Sequence, residues 1–417
     1  MSSIGIDLGA KNIVAAEPSE FGVQTIDVED DRAMRSVVSF EPGDDEVIVG
    51  NLAAELLDTH PDLTIPSVRR HVELDSEFTI NNDSYTKTTY ASEEILALVL
   101  KKLRREIDDS LGESPDTAVI SVPANFGSAA RSATKRAAEI AGFGAVRLAS
   151  KPRAACAARG LGDRDDDTEY TVVYDFGESF DISLVDTGYG DGYHDVIAVD
   201  GHRDLGDDFD RELSEWVVRK IESETGETIS DDRSKRRRVR QRAEMIAERL
   251  SEYESATFRD AGSIVDRKFE FTVTRERFAE LTADPVDRSI ECTRELLENR
   301  GITPGSVDDV LLVGGVTKAP HVKDAVRELF GQEPAQGVDP DEAVAIGAGV
   351  LADSIDQCED GSVSAAALPE SALDTDEECP YREREAAVTD SLDPSDRTRI
   401  LDPGERSDIR KQLPEIV

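Results

Sequence analysis

The sequence predicts an α/β fold made of two duplicated lobes, and three observations predict it. An apolar strand runs into Asp-x-Gly at Asp7, turns and leaves as a second strand, and the same pattern recurs at Asp175. Up to about residue 350, strand patterns alternate with helical patterns, which indicates mixed parallel and antiparallel strand pairs. The length of 417 residues allows two hydrophobic cores and an appendage.

The two Asp-x-Gly turns are the first candidates for a functional site. Glycine lets backbone N–H groups approach anionic oxygens, and aspartate can hold the hydration shell of Mg²⁺. A single turn of this kind is usually only a tight turn, because Asp and Gly favour turns in general. Its repetition on matching strands indicates a duplicated fold that closes on one nucleotide.

Between the two turns, the pattern predicts a strand with a helix on each side of it in the sequence. Residues 117–123 are an apolar run that ends in proline, followed by a helix that Ser128 caps and Gly142 ends. Before this strand, Ser92 caps a helix with an apolar stripe. The stripe consists of Ile95, Leu96, Val99, Leu103 and Ile107.

After the second turn, a strand over 310–313 and helices near 321–330 and 341–352 complete the predicted α/β pattern. Beyond Ala352 the chain is rich in Asp, Glu, Ser, Pro and Ala and has no sustained period. Such a segment buries too little apolar surface to offset the entropy of ordering, so we expect it to be mostly disordered. The predicted boundaries are residues 1–170 for the first lobe, 171–352 for the second and 353–417 for the acidic tail.

The charge of the chain restricts its partners. Acidic residues number 89 against 48 basic ones, which gives a formal net charge of −41, and the acid is spread along the whole chain. This profile fits a protein solvated at high salt, as in a halophile, and disfavours nucleic-acid binding. One basic run, 233–242, suggests a phosphate or nucleic-acid patch or, as we prefer, one face of a long surface helix.

The cysteines and the hydropathy predict a soluble cytoplasmic protein without a membrane partner. None of the four cysteines forms a CxxC pair or has a histidine at ligand spacing, so neither a zinc site nor a disulfide framework is indicated. The chain opens on a strand rather than on a basic and apolar leader, and no apolar stretch approaches the length of a membrane span.

A third glycine turn completes a set of motifs that resembles a known family. A strand ends in Gly314-Gly315 before a helix, where bare backbone can accommodate a base or sugar. With the two Asp-x-Gly turns, this resembles the actin-like ATPases, whose duplicated RNase H-like lobes bind ATP in the cleft between them. The closest resemblance, over about residues 3–352, is to the nucleotide-binding domain of the seventy-kilodalton heat-shock chaperones. The matching motifs, in the order of that family, lie at 5–9, 35–38, 120–126, 205–210, 313–320 and 339–347.

The resemblance implies roles for individual residues. Asp7 and Asp175 would hold hydrated Mg²⁺, Asp181 would organise the attacking water, and Arg69 stands where the family has its catalytic lysine. Together these four are the candidate catalytic residues. The implied ATP or ADP contacts are Gly9, Lys11, Asn12, Gly177, Ser179, Gly206, Glu244, Ser251, Gly314, Gly315 and Asp341.

Several departures from the family pattern fall on the chemistry. The first turn has Ala10-Lys11 in place of two threonines, and the second turn is one residue shorter and carries Glu178. Lys151 replaces a glutamate, and Arg69 keeps the charge of the family lysine but not its geometry. One lost electrostatic donor can cost about two orders of magnitude in rate, and several are altered together here. We hypothesise that Lys11 and Lys151 help to neutralise the phosphates and lower the dependence on Mg²⁺; the alternative is that both point to solvent in a decayed site.

These features predict an ATP-binding, chaperone-type protein with slow or impaired hydrolysis. The alternative is a pseudo-ATPase, a module that binds a protein partner according to its nucleotide. A sugar or metabolite kinase of the same superfamily is disfavoured because no further substrate motif is present. No counterpart of the family's peptide-binding half is expected in the polar tail, so a separate partner or client protein is more plausible.

Overall fold

The computed structural model describes residues 2–29, 31–41, 46–57, 59–81, 87–160, 170–188, 194–359 and 415–416. They belong to two compact units. The first takes its described residues from Met1–Ala157 and Ala345–Val417, and the second takes them from Ala158–Gly190 and His194–Val344. Residues 345–352, which we expected to close the second lobe, therefore belong to the first unit.

The first unit is built from the N-terminal strands and helices. Its strands are β1 (Ser3–Leu8), β2 (Asn12–Ser19), β3 (Gly22–Ile26), β4 (Met34–Arg35), β5 (Val37–Phe40), β6 (Glu46–Val49), β7 (Thr64–Pro66), β8 (Glu77–Asn81), β9 (Lys87–Ala91), β10 (Thr117–Val122) and β11 (Ala145–Ser150). Its helices in this part of the chain are α1 (Asn51–Leu56), α2 (Val68–Glu73), α3 (Ser92–Leu111), α4 (Ser128–Ala141) and α5 (Lys151–Arg159).

The main sheet of the first unit has the strand order β11-β10-β1-β2-β3, with β4 also paired to β2. β1, β10 and β11 run parallel, whereas β1, β2 and β3 form an antiparallel meander. All six residues of β10 are buried, as expected for a strand in the middle of a sheet. Strands β5, β6 and β7 form a second sheet, and β8 and β9 form a hairpin.

Helices α3 and α4 pack against each other in the core of this unit, and the sequence predicted both. The whole predicted stripe of α3 is buried. Helix α4 ends at Gly142, which has φ +100°, the left-handed conformation that favours glycine. Both predicted caps were wrong: Ala91 and Gly127 are the N-cap residues, and Ser92 and Ser128 are the first residues of their helices.

The main sheet of the second unit has the same kind of strand arrangement as the main sheet of the first, an antiparallel meander with a parallel partner for its first strand. Its strands are β12 (Tyr170–Phe176), β13 (Phe180–Asp186), β14 (Asp195–His202), β15 (Ser255–Asp260), β16 (Phe269–Thr274) and β17 (Asp309–Val313), and its helices are α6 (Leu205–Thr225), α7 (Arg233–Glu252), α8 (Arg275–Leu281), α9 (Ala283–Asn299) and α10 (Pro320–Phe330). The sheet order is β14-β13-β12-β17, with β12, β13 and β14 antiparallel and β12 parallel to β17. In both units, the first strand of a meander therefore pairs in parallel with a strand much later in the chain. This confirms the predicted duplicated, two-lobed α/β fold.

The basic run forms the first half of α7, as we preferred. Val239, Ala243, Ile246 and Leu250 of this helix are buried, whereas Arg240 and Arg242 contact acidic side chains. Arg242 Nη1 donates to Asp260 Oδ1 at 2.8 Å, and the Asp260 side chain is fully buried. Burial alone would raise the pKa of Asp260, but hydrogen bonds from Arg242, Val265, Ser263 and Ile264 outweigh it and hold the pKa well below its usual range.

The last helix, α11 (Ala343–Glu359), packs onto the first unit through glycine. A Cβ on Gly5 of β1 would lie 2.0 Å from the backbone nitrogen of Gly349, and a Cβ on Gly347 would lie 1.7 Å from the carbonyl oxygen of Ala154 in α5. Only glycine permits these backbones to approach so closely.

The predicted acidic tail begins inside α11, because residues 353–359 are helical. A short strand, β18 (Glu415–Ile416), pairs in parallel with β6. The other residues of the predicted tail, 360–414 and 417, lie outside the described residues. Within the described ranges, no helix is both long and apolar enough to cross a membrane.

We expect Gly347→Ala to destabilise the first unit, because the new Cβ would overlap the carbonyl oxygen of Ala154. Overpacking of this kind costs about 1–3 kcal/mol, which exceeds the gain of up to about 1 kcal/mol in helix propensity. Thermal unfolding followed by circular dichroism measures the change. Gly305→Ala is the matched control, since its Cβ would meet no atom within 4 Å; equal melting temperatures for the two variants would contradict the expectation.

His321 of α10 is a partly buried histidine that packs on aromatic residues of the second unit. Its ring stacks on Phe209, with ring centroids 5.9 Å apart, and its Nε2 lies 2.9 Å from Thr282 Oγ1. Burial lowers the pKa of His321 from 6.5 to about 4, although Asp324 acts in the opposite direction. Between these two pH values the unfolded chain binds more protons at this residue than the folded chain does.

The stability of the second unit should therefore fall as the pH is lowered from about 6.5 towards about 4. His321→Gln removes the titrating ring, so the stability difference between wild type and variant should shift by about 1–3 kcal/mol across this window. Chemical denaturation at several pH values measures that difference. A parallel pH dependence of wild type and His321→Gln would refute the role of burial.

Candidate functional site

Asp7 lies at the carboxyl end of β1, opposite Ser121 of the parallel strand β10. Ser121 Oγ donates to Asp7 Oδ1 at 2.6 Å and accepts the backbone N–H of Leu8 at 3.2 Å. The hydroxyl therefore holds the carboxylate in one orientation. A Cβ on Gly9 would lie 2.1 Å from the carbonyl oxygen of Asn12, so the turn after Asp7 closes too tightly for any side chain at that position.

Lys151 lies beside the same carboxylate. In register across the sheet, Asp7 pairs with Ser121 and Ser121 pairs with Ala149, so the end of β11 comes to the edge where Asp7 lies. Lys151 begins α5 directly after this strand, and its Nζ is 3.3 Å from Asp7 Oδ1. The side chains of Lys151 and Asp7 are only 15% and 14% exposed. The pair is thus a largely buried ion pair, which excludes the alternative that Lys151 points to solvent.

Arg69 of α2 is a buried cation near the first turn. Its side chain is 5% exposed, its guanidinium carbon lies 5.6 Å from the centroid of the Phe126 ring, and its Nε has no hydrogen-bond partner among the described residues. Ser36 connects α2 to the turn: its N–H donates to the carbonyl of Lys11 at 3.0 Å, and its own carbonyl accepts the N–H of Val68 at 3.3 Å. Since an uncompensated buried charge is costly, this environment favours an anion.

The two remaining predicted residues of the first unit belong to the same turn. Lys11 is half-buried, and Asn12 is the exposed first residue of β2. The structure therefore brings Asp7, Gly9, Lys11 and Asn12 together in one hairpin turn, with α2 attached to it through Ser36.

The second Asp-x-Gly turn joins β12 and β13 in the second unit. Asp175 and Asp181 are direct partners in the antiparallel register, so both carboxylates lie on the same face of the sheet. Ser179 Oγ donates to Asp181 Oδ2 at 2.8 Å, and the N–H of Gly177 donates to the carbonyl of Ser179 at 2.9 Å. Like charges in this register repel each other, so this corner favours a cation.

Two further glycines enclose this turn. A Cβ on Gly206 of α6 would lie 1.8 Å from the carbonyl oxygen of Gly177, and a Cβ on Gly314 would lie 2.6 Å from that of Phe176. A Cβ on Gly177 itself would meet no atom within 4 Å. Three predicted glycines therefore meet at one place, and the backbone of the turn is accessible on the side of Gly177.

Asp341 is held next to the paired glycines by Lys318. Lys318 Nζ lies 2.5 Å from Asp341 Oδ2 and 2.7 Å from Asp339 Oδ1, and the N–H of Gly314 donates to the carbonyl of Pro340 at 2.9 Å. Burial alone would lower the pKa of Lys318, but the two carboxylates raise it. A Cβ on Gly315 would lie 3.2 Å from Asp341 Oδ1, so this loop packs closely against the glycine pair.

Glu244 and Ser251 lie two turns apart on α7, which places them on the same face of the helix. Within α7, Arg240 Nε lies 3.5 Å from Glu244 Oε1. Arg240 Nη2 lies 3.4 Å from Asp207 Oδ1 of α6, and this contact connects α7 to the second turn. The N–H of Asp207 in turn donates to the carbonyl of Glu178 at 3.2 Å. Ser251 Oγ donates to the carbonyl of Ala247 at 3.3 Å, within its own helix.

The residues predicted to hold Mg²⁺ fit the ion poorly at Asp7. The Oδ1 atom of Asp7 already accepts a hydroxyl and contacts an ammonium, which neutralises the carboxylate. Across the described ranges, three or more His, Cys, Asp or Glu side chains nowhere gather in a group that could hold a metal ion. Asp175 faces Asp181 as a pair of carboxylates and not as a larger cluster.

The sequence prediction missed the residues that support the site. Ser121 and Lys318 lie in motifs that were identified, yet no role was assigned to them, and the link through Ser36 was not foreseen. A polar residue inside an otherwise apolar strand, such as Ser121, is a usable signal, because a buried hydroxyl needs a partner. No comparable local signal exists for Lys318, since its two partners lie more than twenty residues away.

A comparison with protein families finds one match over most of the chain. A family model described as Hsp70 protein matches residues 3–360. The matched range includes both Asp-x-Gly turns, Arg69, α7 and the Gly314-Gly315 pair.

We expect Arg69→Met to stabilise the unliganded chain, because methionine fills similar space beside Phe126 and removes a buried charge that has no ion pair in the described part of the chain. The free energy of unfolding should rise by about 1 kcal/mol or more. Thermal unfolding without nucleotide measures it. Arg69→Lys keeps the charge and serves as the control; a fall in the melting temperature of Arg69→Met below that of Arg69→Lys would contradict this interpretation.

Proposed function

The chain belongs to the Hsp70 family, and from this premise we propose that it binds ATP and ADP and hydrolyses ATP slowly. The family match covers the chaperone-type ATPase domain, whose members in general bind ATP or ADP with Mg²⁺ and interact with client proteins. For this chain we propose which residues bind the nucleotide and how fast ATP is hydrolysed.

The observation that carries the proposal is the repeated Asp-x-Gly turn. Each turn follows the first strand of a meander, and each of these strands pairs in parallel with a later strand. Each turn has a glycine, Gly9 in a tight hairpin and Gly177 with open space beside it, and glycine lets backbone N–H groups approach phosphate oxygens. Arg69 adds a buried positive charge attached to the first turn, which supports anion binding there.

Slow hydrolysis follows from what surrounds the aspartates. Phosphoryl transfer depends on positioned charge and donors around the phosphates, the cation and the water. Here Asp7 is neutralised by Lys151, and the first turn carries Ala10 and Lys11 instead of hydroxyls. Loss of one such donor costs about 10² in rate, so several changes together predict turnover far below that of a complete site.

The second candidate function is a pseudo-ATPase that binds nucleotide without turnover and presents a nucleotide-dependent surface to a partner protein. The ion pair between Lys151 and Asp7 favours this alternative, because it occupies a carboxylate that the family assigns to catalysis. In either case we propose a protein client or partner, and the net charge of −41 makes nucleic acid an unfavourable one.

A single-turnover ATPase assay in molar KCl tests the proposal, with Asp175→Asn as the matched variant. Asparagine keeps the size of the side chain and removes the charge that faces Asp181. We expect slow formation of ADP by the wild-type chain and a loss of at least about 10² in rate in the variant. Tight ATP binding with no turnover would establish the pseudo-ATPase, and the absence of binding by either chain would refute nucleotide binding altogether.

A further inference from the structure

We infer that the Lys151 ammonium takes the place of Mg²⁺ at Asp7, so that nucleotide binding by this chain does not require a divalent cation. The inference rests on the proposed function, since it presupposes that the chain binds ATP or ADP.

The geometry fixes the ammonium at the carboxylate. Lys151 Nζ lies 3.3 Å from Asp7 Oδ1, and Ser121 Oγ donates to the same oxygen at 2.6 Å. The two charged side chains are 15% and 14% exposed, so water screens their attraction less than it would at the surface. An ammonium held in this way competes with any other cation for Asp7 Oδ1.

The position of Lys151 in the fold places its side chain within reach of Asp7. Lys151 follows the last residue of β11 and begins α5, and Ala154 of that helix packs against Gly347 of α11. A cation at a helix N-terminus meets the positive end of the helix dipole. The Asp7 carboxylate offsets this repulsion, which gives the ion pair a reason to persist.

The charge at this corner also disfavours a divalent cation. The charges of Asp7 and Lys151 sum to zero, whereas a glutamate at position 151, as the sequence resemblance implies for the family, would give two negative charges. An ammonium within a few ångströms repels Mg²⁺, and Mg²⁺ gives up its hydration shell reluctantly. Lys151 thus weakens the attraction for the metal and supplies a positive charge of its own for the phosphates.

Calorimetric titration with ADP tests the inference, because ADP cannot be turned over and the readout is a binding heat. The full chain is titrated in molar KCl with excess Mg²⁺ and again with excess EDTA. We expect the wild-type dissociation constants in the two conditions to agree within about threefold. Lys151→Glu restores two carboxylates, so its affinity should fall by at least about tenfold when EDTA replaces Mg²⁺.

Lys323→Glu is the matched control. It makes the same change in net charge at an exposed position of α10 and should retain the metal independence of the wild type. If Lys151→Glu fails to fold, Lys151→Met removes the ammonium without adding a second carboxylate, and its affinity in EDTA should also fall.

The outcomes separate the inference from the proposed function. If the affinity of the wild-type chain for ADP falls by more than about tenfold when EDTA replaces Mg²⁺, the inference is overturned while the proposed function stands. Binding in neither condition would overturn the proposed function. Equal metal dependence of wild type and Lys151→Glu would show that Lys151 does not take the place of the metal.

Discussion

Each unit of this protein depends on one parallel strand pair, β1 with β10 in the first unit and β12 with β17 in the second. The parallel partners are 114 and 138 residues apart in the chain, so each pair requires a long crossover that places helices on the sheet. The carboxyl ends of parallel strands meet at the same edge of a sheet. For this reason Asp7 comes to lie beside Ser121, and Asp175 lies in register with Val313 next to the Gly314-Gly315 pair.

The two Asp-x-Gly turns share a backbone but differ in charge. At the first turn, Lys151 neutralises Asp7 and Ser121 holds the carboxylate in place. At the second turn, Asp175 faces Asp181 across the strand pair, and two like charges in this register repel each other. A duplicated fold thus carries two unlike electrostatic environments, which is a physical basis for proposing retained nucleotide binding together with weakened hydrolysis.

Buried acids in this chain are paired with some of its few cations. Asp260 accepts a hydrogen bond from Arg242, and Asp7 contacts Lys151. Breaking a buried pair by removing one partner is costly, whereas exposed acids in a chain of net charge −41 are solvated and contribute little individually. Arg69 is the exception, because its guanidinium is buried against an aromatic ring and forms no ion pair within the described residues. Its buried positive charge therefore favours an anionic ligand.

The sequence by itself determined the fold class, the two turns and most of the elements between them, because strand and helix periodicity and the Asp-x-Gly pattern are local properties of the chain. The buried stripe of α3 and the Gly142 end of α4 were predictable for the same reason. Only the tertiary structure decided that α11 packs onto the first unit, since the contact of Gly347 with Ala154 joins segments that are almost two hundred residues apart. It also decided the partner of Lys151: the residue type was visible in the sequence, but its distance to Asp7 depends on the register of three strands and on the start of the helix that follows them.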